Sequence, residues 1–342
     1  MNPEMTPKER MGAFLTGKPV DRIPVVPLIL NHAARVTGAT ISEHATDGEV
    51  MGRAHIAAYR RYGQDLITLF SDTCITGEAL GSELFFPPDD VPRMKTPAVV
   101  DPSDLDRLPK VDVRDAGRLG VYFDAVRICV DELGDEVFVS CCIPAPFSTA
   151  ASLRGTATLA RDLYKNPGLA EALLEKSLEI GNDTAEAIVE AGGIPVLVDP
   201  VASGSVLSRA MFERFALPYI RRAFEKIVAL GSVPILHICG RTANIVDLMA
   251  VSGAVALSID EISVAKAAEL TGGAVCIMGN VRPAETLLGG TPEDVLAEAS
   301  QCMAEGADNT GGFILASGCE VPIDAPAENI DALINAARKR AE

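Results

Sequence analysis

The sequence predicts an α/β fold, a single-domain (β/α)8 TIM barrel over residues 1–342 with a short helical extension at its N-terminus. Three observations predict it. Eight short apolar runs, rich in β-branched residues, alternate with longer amphipathic segments, and eight is the strand count of that barrel. The runs are nearly continuous in hydrophobicity, as strands buried on both faces of a parallel sheet must be. Ionisable and thiol side chains gather just after the runs, where such a barrel keeps its working residues.

The opening, MTPKERMGAFLTGKPVDRIPV, reads as a short helix. Thr6 supplies the N-cap, Pro7 the first helical position and Glu9 the third. The eight runs are Ile23–Ile29, Asp65–Phe70, Glu136–Ile143, Ile194–Val198, Val233–Ile238, Ala254–Ile259, Ala274–Met278 and Gly312–Ala316. Helical patterns cover Gly168–Ala191, Arg209–Leu230, Thr242–Val251 and Pro292–Ala304, and Ala327–Ala341 closes the chain. Gly81–Arg118 is loop-rich, with Phe86-Pro87-Pro88-Asp89-Asp90 inside it, and reads as an insertion with a small hairpin of its own. A doubly wound open sheet competes with the barrel, but no G-x-G-x-x-G follows the first run.

Composition narrows the function. The net charge of −17 argues against a nucleic-acid binder, and the one basic run, Arg338-Lys339-Arg340, reads as a cap on the last helix. Met1–Arg10 is polar and no apolar run is long enough to span a bilayer. The expectation is a cytoplasmic protein that acts on neither membrane nor nucleic acid. Its eight cysteines are then reduced, and most of them serve as small buried apolar groups.

The run ends carry the chemistry. They are Asn31-His32, Ser71-Asp72, Cys141-Cys142-Ile143-Pro144, Asp199-Pro200, His237-Ile238-Cys239-Gly240, Asp260-Glu261, Gly279-Asn280 and Ser317-Gly318-Cys319-Glu320. His237-x-Cys239 is the sharpest of these. Side chains two apart on a strand share a face, so both reach one ion in the barrel mouth, and Cys319 completes the set from another strand end. Three such ligands with an open fourth position describe a catalytic zinc site. Packing at a strand end is the competing reading, and Cys74, Cys141 and Cys142 are rival ligands. Cys141 and Cys142 are adjacent, so at most one faces the mouth. Asp72 and Asp199 are candidate acid/base or substrate-binding carboxylates, with helix capping as the alternative for each. Glu78 and Glu320 follow them. Glu320, next to Cys319, is placed to bind the metal or to orient a ligand.

These residues carry a resemblance over nearly the whole chain. The opening segment, Leu69-Phe70-Ser71-Asp72 with Glu78-Ala79-Leu80-Gly81, and Asp199-Pro200-Val201-Ala202-Ser203-Gly204 followed by Phe215-x-x-Pro218-Tyr219 are similar to the uroporphyrinogen decarboxylase superfamily. So are Gly318-Cys319-Glu320-Val321-Pro322 and Pro326-x-x-Asn329-Ile330. Within that superfamily the chain resembles the cobamide-dependent methyltransferase branch, which includes methylcobamide:coenzyme M methyltransferases with an H-x-C…C zinc motif. His237, Cys239 and Cys319 fall on its three positions. The decarboxylases carry M-R-Q-A-G-R after the first strand, whereas this chain has Leu30-Asn31-His32-Ala33-Ala34-Arg35, leaving only Arg35. They also carry a histidine in the last strand-end loop, where this chain has Cys319.

The resemblance implies Zn2+ held by His237, Cys239 and Cys319, a thiol acceptor such as coenzyme M in the fourth position, and methylcobamide as co-substrate. The activated sulfur takes the methyl group and leaves cob(I)amide, with Asp72 and Asp199 orienting the acceptor or a ligand. No D-x-H-x-x-G motif is present, so the cobamide is expected on a separate corrinoid protein. The chain is expected as a monomer or homodimer. A decarboxylase-like lyase and a non-catalytic corrinoid- or thiol-binding protein are the rival functions.

Overall fold

The computed structural model describes residues 4–338, so Lys339 and Arg340 of the expected basic cap lie outside the described residues. Thr6 caps the first helix, Pro7–Leu15, in the reciprocal arrangement with Glu9 that the sequence predicts. The sheet strands are β1 (Leu66–Leu69), β4 (Phe138–Pro144), β5 (Ile194–Val198), β6 (Ile235–His237), β7 (Ala256–Ser258), β8 (Cys276–Val281) and β9 (Phe313–Ser317). They pair in that order and all in parallel. β2 (Glu83–Phe85) and β3 (Arg93–Thr96) form a separate antiparallel hairpin inside the Gly81–Arg118 insertion.

Seven of the eight predicted runs are thus sheet strands. The first, Ile23–Ile29, is not, and its prolines give the reason. Pro24 and Pro27 have no N–H to donate, so a continuous ladder cannot form. What remains is two single bridges, Val25 to Leu315 and Leu28 to Glu320. Val26 N–H donates to Leu315 O at 2.8 Å, Leu315 N–H to Pro24 O at 3.0 Å, and Val321 N–H to Leu28 O at 2.8 Å. On its other side Val25 O accepts from Asp65 N–H, one residue before β1, at 2.9 Å. The run therefore lies between β9 and β1 and closes the ring as a degenerate eighth strand.

A buried ionic cluster pins this closure. Asp65 is fully buried; its Oδ1 accepts from Arg10 at 2.6 Å and from Arg22 at 3.0 Å. Its Oδ2 accepts from Arg22 at 2.6 Å and from the Val25 N–H at 2.7 Å. Arg10, on the first helix, also grips Asp21 with two bonds of 2.7 Å. One carboxylate thus ties the N-terminal helix, the closing run and the start of β1 together. Both of its oxygens are satisfied, which is what makes a buried charge tolerable.

Three helices, His32–Thr37, Ile41–Thr46 and Gly48–Tyr62, fill the path from the closing run to β1. Pro167–Glu190 and Pro292–Gly306 follow their predicted patterns closely. Arg209–Leu230 instead divides into Arg209–Met211, a π-helical Phe212–Ala216 and Leu217–Ala229. Pro218 lies where it withholds a backbone donor from the turn before it. Thr242–Val251 shrinks to Val246–Ala250. Between the helices before β1, His44 and His55 are buried with ring centroids 5.5 Å apart, and none of their four ring nitrogens has a hydrogen-bond partner. Burial lowers His44 to about 4 and His55 well below the usual imidazole range.

Two outcomes follow. Asp65→Ala leaves Arg10 and Arg22 without their shared partner and should cost about 3–5 kcal/mol, read as a lower urea midpoint; a loss within 1 kcal/mol would mean the cluster does not hold the closure. The two histidines stay neutral when folded and charge when unfolded, so their stability contribution is present above about pH 6.5 and is lost as pH falls toward 4. The wild type should lose roughly 2 kcal/mol per histidine between pH 7.5 and 5, and the His44→Leu, His55→Leu double variant should lose distinctly less over that interval.

Candidate metal centre

Strand alternation builds the barrel mouth. On β1 and its end, Leu66, Thr68 and Phe70 point inward; on β5, Val196 and Val198; on β6 and its end, Ile235, His237 and Cys239. Leu236 and Ile238 occupy the opposite face and are fully buried under the surrounding helices. The same period places Cys142 inside the mouth and Cys141 outside it. The inward side chains enclose a cavity of ≈ 190 Å³, and His237, Cys239, Cys319 and Glu320 share its wall.

His237, Cys239 and Cys319 converge, with one ligand atom from each lying within 4.8 Å of the others. Cys319 Sγ is 3.6 Å from His237 Nε2. Tetrahedral zinc with Zn–S of about 2.3 Å and Zn–N of about 2.05 Å requires a sulfur–nitrogen separation of about 3.6 Å, so the two groups already stand at the spacing the ion needs. The donor set, one imidazole and two thiols, suits zinc. The thiols are coupled: a hydrogen bond from Cys319 holds Cys239 below the usual thiol range, and the same bond together with burial pushes Cys319 up.

The supporting residues fix these groups. His237 pairs with Ser258 in the β6–β7 register, and its Nδ1 lies 3.0 Å from Ser258 Oγ. A proton on Nδ1 donated to that hydroxyl leaves the Nε2 lone pair for a cation. The chain turns sharply after Cys239, at Gly240, whose φ of 72° favours glycine. The Gly240 N–H donates to Asp260 Oδ2 at 2.8 Å. Gly318 passes so near Asp260 that a Cβ there would lie 2.9 Å from Oδ1. Asp260 thereby sits between the two ligand loops.

Of the remaining candidates only Glu320 lines the cavity, and the others lie behind its wall. His32, expected on the rim, bonds Ile323 O at 2.9 Å and the Tyr62 hydroxyl at 3.0 Å and serves packing. Glu320 Oε1 accepts from the Asn31 backbone and side chain, both at 2.9 Å, and burial raises its carboxyl to about 7. Asn31 also donates to Ser71 O at 2.8 Å, and Ser71 Oγ donates to Asp72 at 2.8 Å. Arg118 then bonds Asp72 at 2.9 Å and Glu78 at 2.8 Å. Asp72 and Glu78 are therefore engaged by an arginine outside the cavity lining. Asp199 is fully buried, and its Oδ1 accepts from the Ser148 N–H at 2.8 Å and hydroxyl at 2.6 Å. That bond caps the helix Pro146–Arg154, and desolvation raises the Asp199 carboxyl to about 7. Arg35 is spent on Asp89 and Asp324. Ser258, the hydroxyl against His237, is a contact that sequence reasoning missed, because only strand register reveals it.

Known proteins share this architecture. The uroporphyrinogen decarboxylase (URO-D) family model matches residues 6–340. The chain is 30% identical over 345 residues to the methylcobamide:CoM methyltransferase MtbA of Methanosarcina mazei, covering 98% of each. It is also 30% identical over 334 residues to a uroporphyrinogen decarboxylase of Xanthomonas axonopodis pv. citri, covering 90% of each. A solved methyltransferase from Methanosarcina mazei superimposes with a TM-score of 0.89 at 29% identity, over 98% of this chain and 99% of that one. Identity alone does not separate the two activities, so the site must.

Removing the hydroxyl that steers His237 should loosen the metal without unfolding the barrel. Ser258→Ala is expected to weaken zinc affinity by roughly 10-fold or more, measured by competition with a chromophoric chelator, with an unchanged circular-dichroism spectrum. Wild-type affinity in the variant would show that Ser258 does not orient the ligand.

Proposed function

The chain belongs to the uroporphyrinogen decarboxylase (URO-D) family, and within it we propose that it is a zinc-dependent methyltransferase that moves a methyl group from a methylated corrinoid to a thiol acceptor. The observation that carries this reading is the convergence of His237, Cys239 and Cys319 at the barrel mouth. A decarboxylase needs cations to hold its substrate's carboxylates, yet among the described residues no arginine or lysine lines the cavity. Arg35, the one residue left of the decarboxylase pattern, faces Asp89 and Asp324 instead. The cavity is also smaller than the roughly 300–1,000 Å³ of ordinary ligand pockets. It suits a small molecule better than a tetrapyrrole. The names of the methyltransferase relatives support the same reaction class.

Zinc held by His237, Cys239 and Cys319 would supply Lewis acidity that lowers the pKa of a thiol acceptor. The chain's residues set the geometry. Ser258 holds His237 with Nε2 toward the cavity, and Asp260 holds the turn after Cys239. The apolar walls, Leu28, Leu30, Phe70, Val198 and Met278 among them, exclude water from the reacting sulfur. The sulfur forms its bond to the methyl carbon as the cobalt–carbon bond breaks, and that electron pair stays on cobalt as cob(I)amide. The thiol proton leaves to solvent. The cobamide arrives on a separate corrinoid protein docked over the mouth. Asp72 and Asp199 act as positioning residues. Asp199 fixes the start of the helix Pro146–Arg154 and, through its own N–H to His237 O at 2.9 Å, the end of β6. Asp72 pairs with Arg118 and, through Ser71 and Asn31, is linked to Glu320. Among the described residues no helix is long and apolar enough to cross a membrane. Chemistry that depends on free thiols fits a cytoplasmic location.

Purified protein should contain one zinc per chain and demethylate methylcobalamin when a thiol is supplied. Cys239→Ser should lose both the metal and at least 100-fold of the activity. Zinc-free wild type that still transfers methyl groups would exclude the proposed role of the metal.

A further inference from the structure

Resting on that methyl-transfer reading, we infer that Leu30 is a specificity-determining residue, whose side chain sets the greatest length of acceptor that the site takes. The backbone singles it out. Leu30 is the one residue other than glycine among the described residues with a positive φ, 39°. A left-handed backbone crowds any side chain, and glycine would adopt it without strain. The chain nevertheless carries a γ-branched leucine there. That side chain is 5% exposed and lines the cavity at the barrel mouth.

Bonds on both sides hold this conformation in place. Before it, the Leu28 N–H donates to Ser317 Oγ at 2.9 Å, and the Leu28 carbonyl accepts from the Val321 N–H at 2.8 Å. After it, the Asn31 N–H donates to Glu320 Oε1 at 2.9 Å, and the Ala33 N–H returns to Leu30 O at 3.2 Å. Ser317, Glu320 and Val321 all lie within two residues of Cys319. Backbone strain persists only where the surroundings over-determine it. Here those surroundings are the loop that carries a proposed metal ligand, so Leu30 is fixed relative to Cys319.

The cavity gives this side chain its leverage. It holds ≈ 190 Å³, and deleting one buried leucine side chain can leave a space on the order of 150 Å³. One residue therefore controls a volume comparable with the whole acceptor space. Thr68, Thr73, Ser258 and His237 put polar groups on the wall, whereas Leu30 adds none. It can neither hold a metal nor bond a head group; it can only occupy space. With the acceptor's sulfur at the metal, the rest of the molecule must fit what Leu30 leaves free, because the pinned backbone keeps the side chain from swinging aside. The limit acts on length and leaves the charge of the acceptor's head group open.

The test uses the zinc-loaded protein and two series of acceptors, ω-hydroxyalkanethiols and ω-mercaptoalkanesulfonates, each with short and long chains. Binding is measured by calorimetry, and kcat and KM by demethylation of methylcobalamin. In whichever series it methylates, the wild type is expected to bind the longest thiol at least about tenfold more weakly than the shortest. Leu30→Gly and Leu30→Ala are each expected to remove that gap, through KM and not kcat, with zinc content unchanged. Leu30→Met, which keeps the bulk, is expected to retain it. Of the two truncations Leu30→Gly should have the higher urea midpoint, because only glycine is free of the backbone strain. Wild type that binds every length equally, or a zinc-loaded truncation that keeps the full gap, overturns the inference and leaves methyl transfer standing. Zinc lost from both truncations also overturns it, since Leu30 would then support the metal. Zinc-loaded wild type that methylates no member of either series overturns the methyl-transfer reading, and this inference with it.

Discussion

Everything at the barrel mouth depends on how the ring is closed. β6 and β9 are separated by β7 and β8 in the sheet, so His237 and Cys319 share a cavity only if the sheet curls shut. The segment that shuts it, Ile23–Ile29, is interrupted by Pro24 and Pro27 and makes only two bridges. A contact that sparse cannot hold a register through its own ladder. The register is imposed from below, where Asp65 gathers Arg10, Arg22 and the Val25 N–H. It is imposed from above by the Leu28–Val321 bond and the contacts of Asn31 with Glu320. The second of these attachments sits beside Cys319. Closing the barrel and placing Cys319 beside His237 and Cys239 are therefore one structural event.

The fold was legible because parallel strands buried on both faces must be apolar along their length, and seven of the eight runs are sheet strands. The eighth could not be read correctly from hydropathy, since Pro24 and Pro27 leave its apolar character intact while removing its donors. The clustering of His237 with Cys239 was legible through two-residue alternation, which puts both on one face before any coordinate is known. Alternation likewise limited Cys141-Cys142 to one inward thiol, and Cys142 is that thiol. Ser258 was illegible because its role depends on which residue of β7 lies opposite His237. Asp72 and Asp199 show the limit of reading strand ends by residue type. Both sit where the sequence places them, yet Arg118 engages one and the N-terminus of a helix engages the other.

The proposed zinc site would combine two opposed electrostatic tasks. Holding a divalent cation requires negative donors, and activating a sulfur on that cation requires that the sulfur stay electron-rich. Two thiols and one imidazole meet both demands, and the acidic side chains around Cys319 add to the electron-rich surroundings. Apolar walls strengthen these interactions by keeping the local dielectric low.

The most direct measurement of the central claim is X-ray absorption at the zinc edge, taken with and without a small thiol. Zinc held by His237, Cys239 and Cys319 gives a first shell of two sulfurs and one imidazole nitrogen, with a fourth light atom that a third sulfur replaces when the thiol is added. A shell of oxygen and nitrogen alone, or one unchanged by any thiol, would contradict the assignment of this barrel mouth as the place where the acceptor is activated.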